Sequence, residues 1–238
     1  MPLEKEPLTL FIDQYGYDCQ AIENIVSGNK YTAVLLTNGH IGVCANLGNK
    51  VSLAIPDLKN APPDLSQNTH RIIYTAYLNA CHNYHGFDSS EDDIWDVLDF
   101  TKQQRIVMVG LFKPIVSKFE KAGIPLEIFD MIKTDTRLTE MNHQKDILKQ
   151  ADAVILTSTS VFNATFLETV NATSEGCRVY MLGPSSIMVP EMLQYKNIKM
   201  IFGATFEEND TRVLDVIENH GGTRQFLKFG NKNCLSNV

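Results

Sequence analysis

Apolar positions change rhythm near the middle of the chain. In the first part, Tyr31-Thr32-Ala33-Val34-Leu35-Leu36-Thr37 is β-branched and aromatic-rich, and Ile41-Gly42-Val43-Cys44-Ala45 follows after Asn38-Gly39-His40. Asn-Gly between two such runs predicts a hairpin with both turn residues at positive φ. Residues 20–26 supply the expected third antiparallel strand. Residues 56–68 hold Pro56, Pro62 and Pro63 among Asp, Asn and Ser and read as a loop. Beyond it Ile72, Ile73, Ala76, Tyr77 and Ala80 recur on one face of a helix, whose cap is expected at Asn68 or Thr69. The result is a small α+β unit over residues 1–90. Turn-rich, acidic Gly86-Phe87-Asp88-Ser89-Ser90-Glu91 marks the expected boundary, and 92–100 reads as a short helix.

The second part, 91–238, alternates. Apolar runs at 105–109, 126–129, 153–156, 179–182 and 199–202 are separated by helix-compatible segments at 114–122, 143–150, 162–173 and 189–195. A last helix, 210–220, ends at Gly221-Gly222. Strands apolar on both faces, alternating with helices, predict a doubly wound parallel sheet of about five strands. The fold class is therefore α/β, with the small α+β unit first.

Composition narrows the function classes. The chain has 238 residues, 44% apolar and 21% charged, which excludes disordered, collagen-like and coiled-coil proteins. Burying about 70% of its unfolded surface, a chain of this size needs no disulfide or metal staple. With 21 Lys and Arg against 28 Asp and Glu and no basic stripe, nucleic acid is not an expected partner. Cys19, Cys44, Cys81, Cys177 and Cys234 are odd in number and widely spaced, against a zinc ribbon or a disulfide framework. No run approaches the roughly 18 apolar residues of a membrane span. Polar, acidic residues 1–6 do not read as a signal peptide, so the expected location is cytoplasmic. On that expectation the sequons at Asn163, Asn171 and Asn209 carry no glycan.

In doubly wound sheets ligands bind outside the carboxyl ends of the strands, where strand order reverses. In the commonest order that crevice lies between the first and fourth strands, which points to Gly110-Leu111-Phe112-Lys113-Pro114 and Gly183-Pro184-Ser185-Ser186. Each loop opens on a glycine, where a missing Cβ admits close backbone approach. The third strand runs into Thr157-Ser158-Thr159-Ser160, hydroxyls at a helix N-terminus that favour anions or simply cap the helix. Asp130, 20 residues beyond Gly110, stands where dinucleotide-binding folds place a ribose-binding acid. Since G-x-G-x-x-G is absent after Gly110, a nucleoside- or pterin-sized ligand fits better than NAD. Cys81-His82-Asn83-Tyr84-His85 pairs two imidazoles at i, i+3, but no third metal ligand is evident and the helix dipole alone favours histidine there. No nucleophile elbow, H-E-x-x-H or P-loop is present, and Trp95 and Met108 read as core.

Val109-Gly110-Leu111-Phe112-Lys113-Pro114, the segment from Ile155-Leu156-Thr157-Ser158 to Asn163-Ala164-Thr165, and Leu182-Gly183-Pro184-Ser185-Ser186-Ile187-Met188-Val189-Pro190-Glu191 occur in that order. Together they resemble the putative heavy-metal chelation family, formerly a family of unknown function, which joins an enolase N-terminal-like domain to a Rossmann-like domain. The hairpin and Leu78-Asn79-Ala80 resemble the enolase-like part. Two departures are Ser158-Thr159-Ser160, where members more often show a Gly-Thr-Thr-like run, and the absence of a visible leading helix before Cys19. The resemblance implies a site between the domains and action in condensation or hydrolysis of flavin-, pterin- or siderophore-like molecules linked to metal chelation. It implies no enolase chemistry, since enolase's metal and catalytic groups lie in its other domain.

The candidate ligand-binding residues are Gly110, Phe112, Asp130, Thr157, Ser158, Thr159, Gly183, Pro184, Ser185 and Asn79. Glu191 is the candidate general acid/base and Asn163 a second polar catalytic group. No protein-bound metal and no particular cofactor is named. The expected partner is a small molecule, with a homodimer kept open and no membrane. Two readings stand: an enzyme of small-molecule metabolism, and a non-catalytic binder of a chelated metal or nucleoside-like ligand.

Overall fold

The computed structural model describes residues 2–84, 94–132 and 135–236. The expected boundary at residues 86–91, the beginning of the helix expected over 92–100, and His85 lie outside the described residues. The first unit opens with α1 (Pro7–Tyr15), the leading helix that the sequence reading did not find. Pro7 occupies its first turn and Glu6 caps it by accepting from the Thr9 amide at 2.9 Å. An antiparallel sheet follows, in the order β1 (Ile22–Ser27), β2 (Tyr31–Leu36), β3 (Ile41–Ala45). Its β2–β3 turn differs from expectation. Leu36 donates to His40 and accepts from Gly39, and only Gly39 has positive φ, at 89°. That is a three-residue turn closed by a glycine bulge, not a two-residue turn with both residues left-handed.

The hairpin is buried on both faces. Val34, Leu36 and Cys44 pack toward α3 (Asn68–His82), beyond the short α2 (Ile55–Leu58), whereas Ala33, Leu35 and Val43 join Val213, Leu214, Ile217 and Phe226 from the end of the chain. At Gly42 the strand lies directly on α3, since a Cβ there would sit 2.1 Å from the Ala76 carbonyl oxygen. The helix begins at Asn68, with Gln67 as N-cap and no side-chain cap, so neither Asn68 nor Thr69 caps it.

After α4 (Ile94–Val97), the second unit alternates β4 (Ile106–Val109), α5 (Lys113–Ala122), β5 (Glu127–Phe129), α6 (Gln144–Leu148), β6 (Ala153–Thr157), α7 (Thr159–Phe162), α8 (Phe166–Ala172), β7 (Arg178–Leu182), β8 (Ile198–Phe206), α9 (Arg212–Glu218), α10 (Thr223–Phe226) and β9 (Gly230–Ser236). Alternate residues face opposite ways: Val107, Val154 and Met181 enter one core, Met108, Ile155 and Tyr180 the other. The first core is continuous with Leu8, Phe11 and the α3 side chains, so the two units share one apolar interior. Trp95 packs tilted against Phe100 and edge-on against Phe119, and Met108 is fully buried, both as expected. The segment expected as a helix at 189–195 forms a 3-10 turn, Pro190–Gln194. The α9 helix ends with His220 in the left-handed position (φ 62°), and the Gly221 amide donates back to Val216 at 2.8 Å.

The sheet order is β5-β4-β6-β7-β8-β9. Five strands are parallel, as expected, and a sixth, β9, runs antiparallel beside β8. Order therefore reverses between the first and third strands of the sheet, β4 and β6. The crevice expected between the first and fourth strands moves one strand over, because β6 pairs with β4 along Ile106–Val109 and occupies that place. No helix among the described residues is long and apolar enough to cross a membrane.

Candidate functional site

A cleft of about 900 Å³ runs along the carboxyl edge of the large sheet. Every one of the six strands or its following loop contributes to it, from Asp130 after β5 to Lys232 on β9. The hairpin of the first unit forms one wall through Tyr31, Ala45 and Leu47. The loops after β4, β6 and β7 form the floor, and their glycines answer to each other. Gly110 has φ 94°, and a Cβ on it would lie 2.6 Å from the Thr157 Cβ. Gly183 has φ 136°, and a Cβ would lie 2.6 Å from the Ser158 Oγ. Backbone conformation and loop-on-loop packing thus explain both glycines without any ligand.

Asp130 clamps this floor. One carboxylate oxygen accepts from the Leu111 amide and the other from the Ile132 amide, each at 2.7 Å, which fixes the loop after β4 against that after β5. The Thr157 and Thr159 hydroxyls are 3.0 Å apart, and the Ser160 hydroxyl donates to the Thr157 carbonyl at 2.7 Å. Asn163 Oδ1 accepts from the Thr165 amide and hydroxyl, closing the turn between α7 and α8.

Of the residues singled out by sequence, Gly110, Phe112, Asp130, Thr157, Thr159, Asn163, Gly183 and Pro184 line the cleft. Ser158, Ser185 and Asn79 do not; each is 1% exposed and lies behind the wall. Ser185 Oγ accepts from the Ala45 amide at 2.9 Å, tying the loop after β7 to the last hairpin strand. Asn79 donates to the Val43 carbonyl at 2.9 Å, and Asn83 donates to Ser186 and accepts from Met188, both at 2.8 Å. Arg71 donates to the Val161 carbonyl at 2.7 Å, as well as to the Phe162 carbonyl and the Glu6 carboxylate. Arg71, Thr75, Asn79 and Asn83 recur every fourth residue along α3 and its C-cap. They form a buried polar stripe, and Arg71, Asn83 and, through a longer bond of 3.4 Å to the Pro184 carbonyl, Asn79 hold main chain of the second unit. That spacing was visible in the sequence. It went unread because the apolar residues between them dominate the pattern.

Glu191 lies outside the cleft, accepting from Gln14 of α1 at 2.7 Å. Burial raises its carboxyl pKa, but the Tyr15 hydroxyl, its own backbone amide and Gln14 lower it, for a net position below the usual range. A carboxyl in that state carries no proton at neutral pH and is a poor general acid. Behind the wall, burial pushes the Cys44 thiol up to about 12 despite hydrogen bonds from Ser185 and Thr75. At the end of α3, His82 lies against the Tyr15 ring, centroids 4.3 Å apart, and burial pushes the Cys81 thiol up to about 11. Among the described residues no three His, Cys, Asp or Glu side chains come together, and the cleft lining holds a single carboxylate and no Cys or His. This donor set does not fit direct coordination of a heavy metal. Sequence reasoning missed Lys30, Leu47, Met131, Ile132, Arg224 and Lys232, which line the cleft but sit in no recognisable motif.

A family model described as putative heavy-metal chelation, DUF364, matches residues 93–236. A crystal structure of a DUF364-family protein of unknown function from Desulfitobacterium hafniense DCB-2 is similar to the chain at 19% identity. Its TM-score is 0.79, with 98% of this chain and 97% of that one covered. A second, from Pyrococcus horikoshii, is similar at 18% identity and a TM-score of 0.76, covering 91% and 93%. At such identities the likeness is one of fold. No curated protein matches the chain.

Proposed function

Since the chain belongs to the putative heavy-metal chelation family, we propose that it binds a small organic molecule in the cleft between hairpin and sheet, and that any metal arrives already chelated by that molecule. The observation that carries this reading is the convergence of the loops after β4, β6 and β7 on one cleft of about 900 Å³, within the usual size of small-molecule sites. The rim supports it: Leu47, Met131 and Ile132 are 41%, 62% and 53% exposed, apolar surface suited to a planar or aliphatic ligand body. The family resemblance suggests condensation or hydrolysis of flavin-, pterin- or siderophore-like molecules. Gly110, Phe112, Thr157, Thr159, Gly183 and Pro184 would contact the ligand, while Asp130 and Asn163 would supply polar groups. Ser158, Ser185 and Asn79 would act by holding the wall.

The second reading is a non-catalytic binder of a chelated metal or nucleoside-like molecule. It is favoured by the seat of Glu191 outside the cleft and by the engagement of both Asp130 oxygens with main chain. A thermal-shift screen of flavins, pterins and ferric or zinc chelates, followed by mass spectrometry of the incubated hit, tests both. A stabilising compound converted to product supports the enzyme, and its stoichiometric recovery unchanged supports the binder. Hits whose stabilisation survives Thr159→Trp would refute the cleft as their site.

A further inference from the structure

The cleft is electrically lopsided. The chain carries seven more acids than bases, yet the lining holds Lys30, Lys113, Arg224 and Lys232 against one carboxylate, Asp130. Asp130 and Lys113 belong to the β5 and β4 end. The other three cations gather at the opposite end, where β8 runs four residues past Phe202, its partner to the last residue of β7. There Lys232 of β9 stands beside Ala204, and the Lys30 side chain lies against Gly222, just ahead of Arg224. At about 4.8 Å between neighbouring strands, the five steps from β5 to β9 separate the two ends by roughly 24 Å.

The frame beneath these cations is rigid. The Lys30 carbonyl accepts from the amide of fully buried Asn46 at 2.8 Å. Tyr31 and Thr223 share a hydrogen bond of 2.7 Å across the two units, and Tyr31 packs edge-on against Phe226. Gly28 approaches α9 so closely that a Cβ would meet the Ile217 carbonyl oxygen at 1.9 Å. Among the described residues, none of Lys30, Arg224 and Lys232 lies within 4.0 Å of a carboxylate. Three uncompensated cations on a fixed frame, at one end of an apolar trough in an acidic protein, concentrate positive potential in that place.

We propose that Lys30, Arg224 and Lys232 form an oxyanion-recognition subsite, so that the cleft selects elongated ligands with an apolar body and a terminal phosphate, carboxylate or sulfonate. This rests on the cleft being the ligand site. The test uses two fluorescent probes that differ by one group: 8-anilinonaphthalene-1-sulfonate and its uncharged analogue N-phenyl-1-naphthylamine. Exposed charge pairs are individually weak, and three acting on one sulfonate are expected to favour the charged probe about tenfold. That preference falls as salt is raised from 50 to 500 mM. Lys30→Gln/Arg224→Gln/Lys232→Gln, all at exposed positions, abolishes the preference and leaves the neutral probe's affinity within twofold. Thr159→Trp, which fills the middle of the trough, removes both probes. Equal affinities in the wild type, or a charged-probe affinity unmoved by the triple substitution, overturn the subsite while the cleft reading stands. If neither probe binds, or the charged probe binds Thr159→Trp undiminished, the cleft reading fails and the subsite with it.

Discussion

Replacing Asn83 with alanine tests whether the polar stripe on α3 holds the cleft wall. The Asn83 side chain is 1% exposed, donates to the Ser186 carbonyl and accepts from the Met188 amide, each at 2.8 Å. Ser186 and Met188 are themselves 0% and 1% exposed, so the substitution strands a carbonyl and an amide away from water. An unsatisfied buried polar group costs about 1–3 kcal/mol. The carbonyl keeps a second lone pair, which limits its share, and the expected loss is about 2–5 kcal/mol. For a chain of this length that lowers the thermal midpoint by roughly 5–15 °C. Urea unfolding read by far-UV circular dichroism and by Trp95 fluorescence measures it, and the shared core predicts coincident transitions before and after substitution. Leu53→Ser, at a position 78% exposed, serves as control and stays within about 0.5 kcal/mol. An Asn83→Ala variant as stable as that control would refute the reasoning. It would mean that water reaches both groups or that the loop after β7 re-pairs elsewhere.

Gly123→Ala, with φ 67° and open space around a Cβ, is expected to cost about 1 kcal/mol. Gly110→Ala adds overlap with Thr157 to its left-handed strain and should cost at least about 2 kcal/mol; equal midpoints for the two variants would contradict the loop-on-loop account. Asp130→Ala removes the acceptor for two amides and is expected to lose about 1–3 kcal/mol together with most binding of any cleft ligand, read by denaturation and thermal shift in parallel. Burial raises the thiols of Cys81, Cys177 and Cys234 to about 11 and that of Cys44 to about 12, so the folded state holds their protons more tightly than the unfolded chain. Their contribution to stability is complete below the ordinary thiol pKa near 8.5–9 and disappears as pH climbs toward 11–12. Thermal midpoints should hold level up to pH 8.5 and fall above pH 9, less steeply in Cys44→Ala/Cys81→Ala, and an unchanged slope in that variant would count against the assignment.

Much of this architecture is local in origin and therefore legible along the chain. Apolar runs such as Ile106–Val109 and Ala153–Thr157 face cores on both sides, so their composition alone identifies strands of a covered parallel sheet. Gly110 and Gly183 announce tight turns at strand ends, and Asp130, Thr157 and Thr159 stand at or just beyond strand ends that any such sheet sends to one edge. Strand order is not local. That β6 rather than β7 lies beside β4 depends on which helices cover which face, and the choice moved the crevice by one strand. The β9 strand escaped notice because an edge strand needs no apolar face, and Gly230–Ser236 is largely polar. Helix α1 escaped because its burying surface, Leu8 and Phe11, is short and meets its partners only in the folded chain. Glu191 shares a sequence segment with Gly183 yet faces α1, since the segment leaves the sheet edge and turns through Pro190–Gln194. Lys30 lies far along the chain from Arg224 and Lys232, which stand close together near its end. Only the packing of the hairpin against β8, α9 and α10, with β9 paired to β8, assembles them, because a shared apolar face, not any motif, brings the hairpin to that end of the sheet.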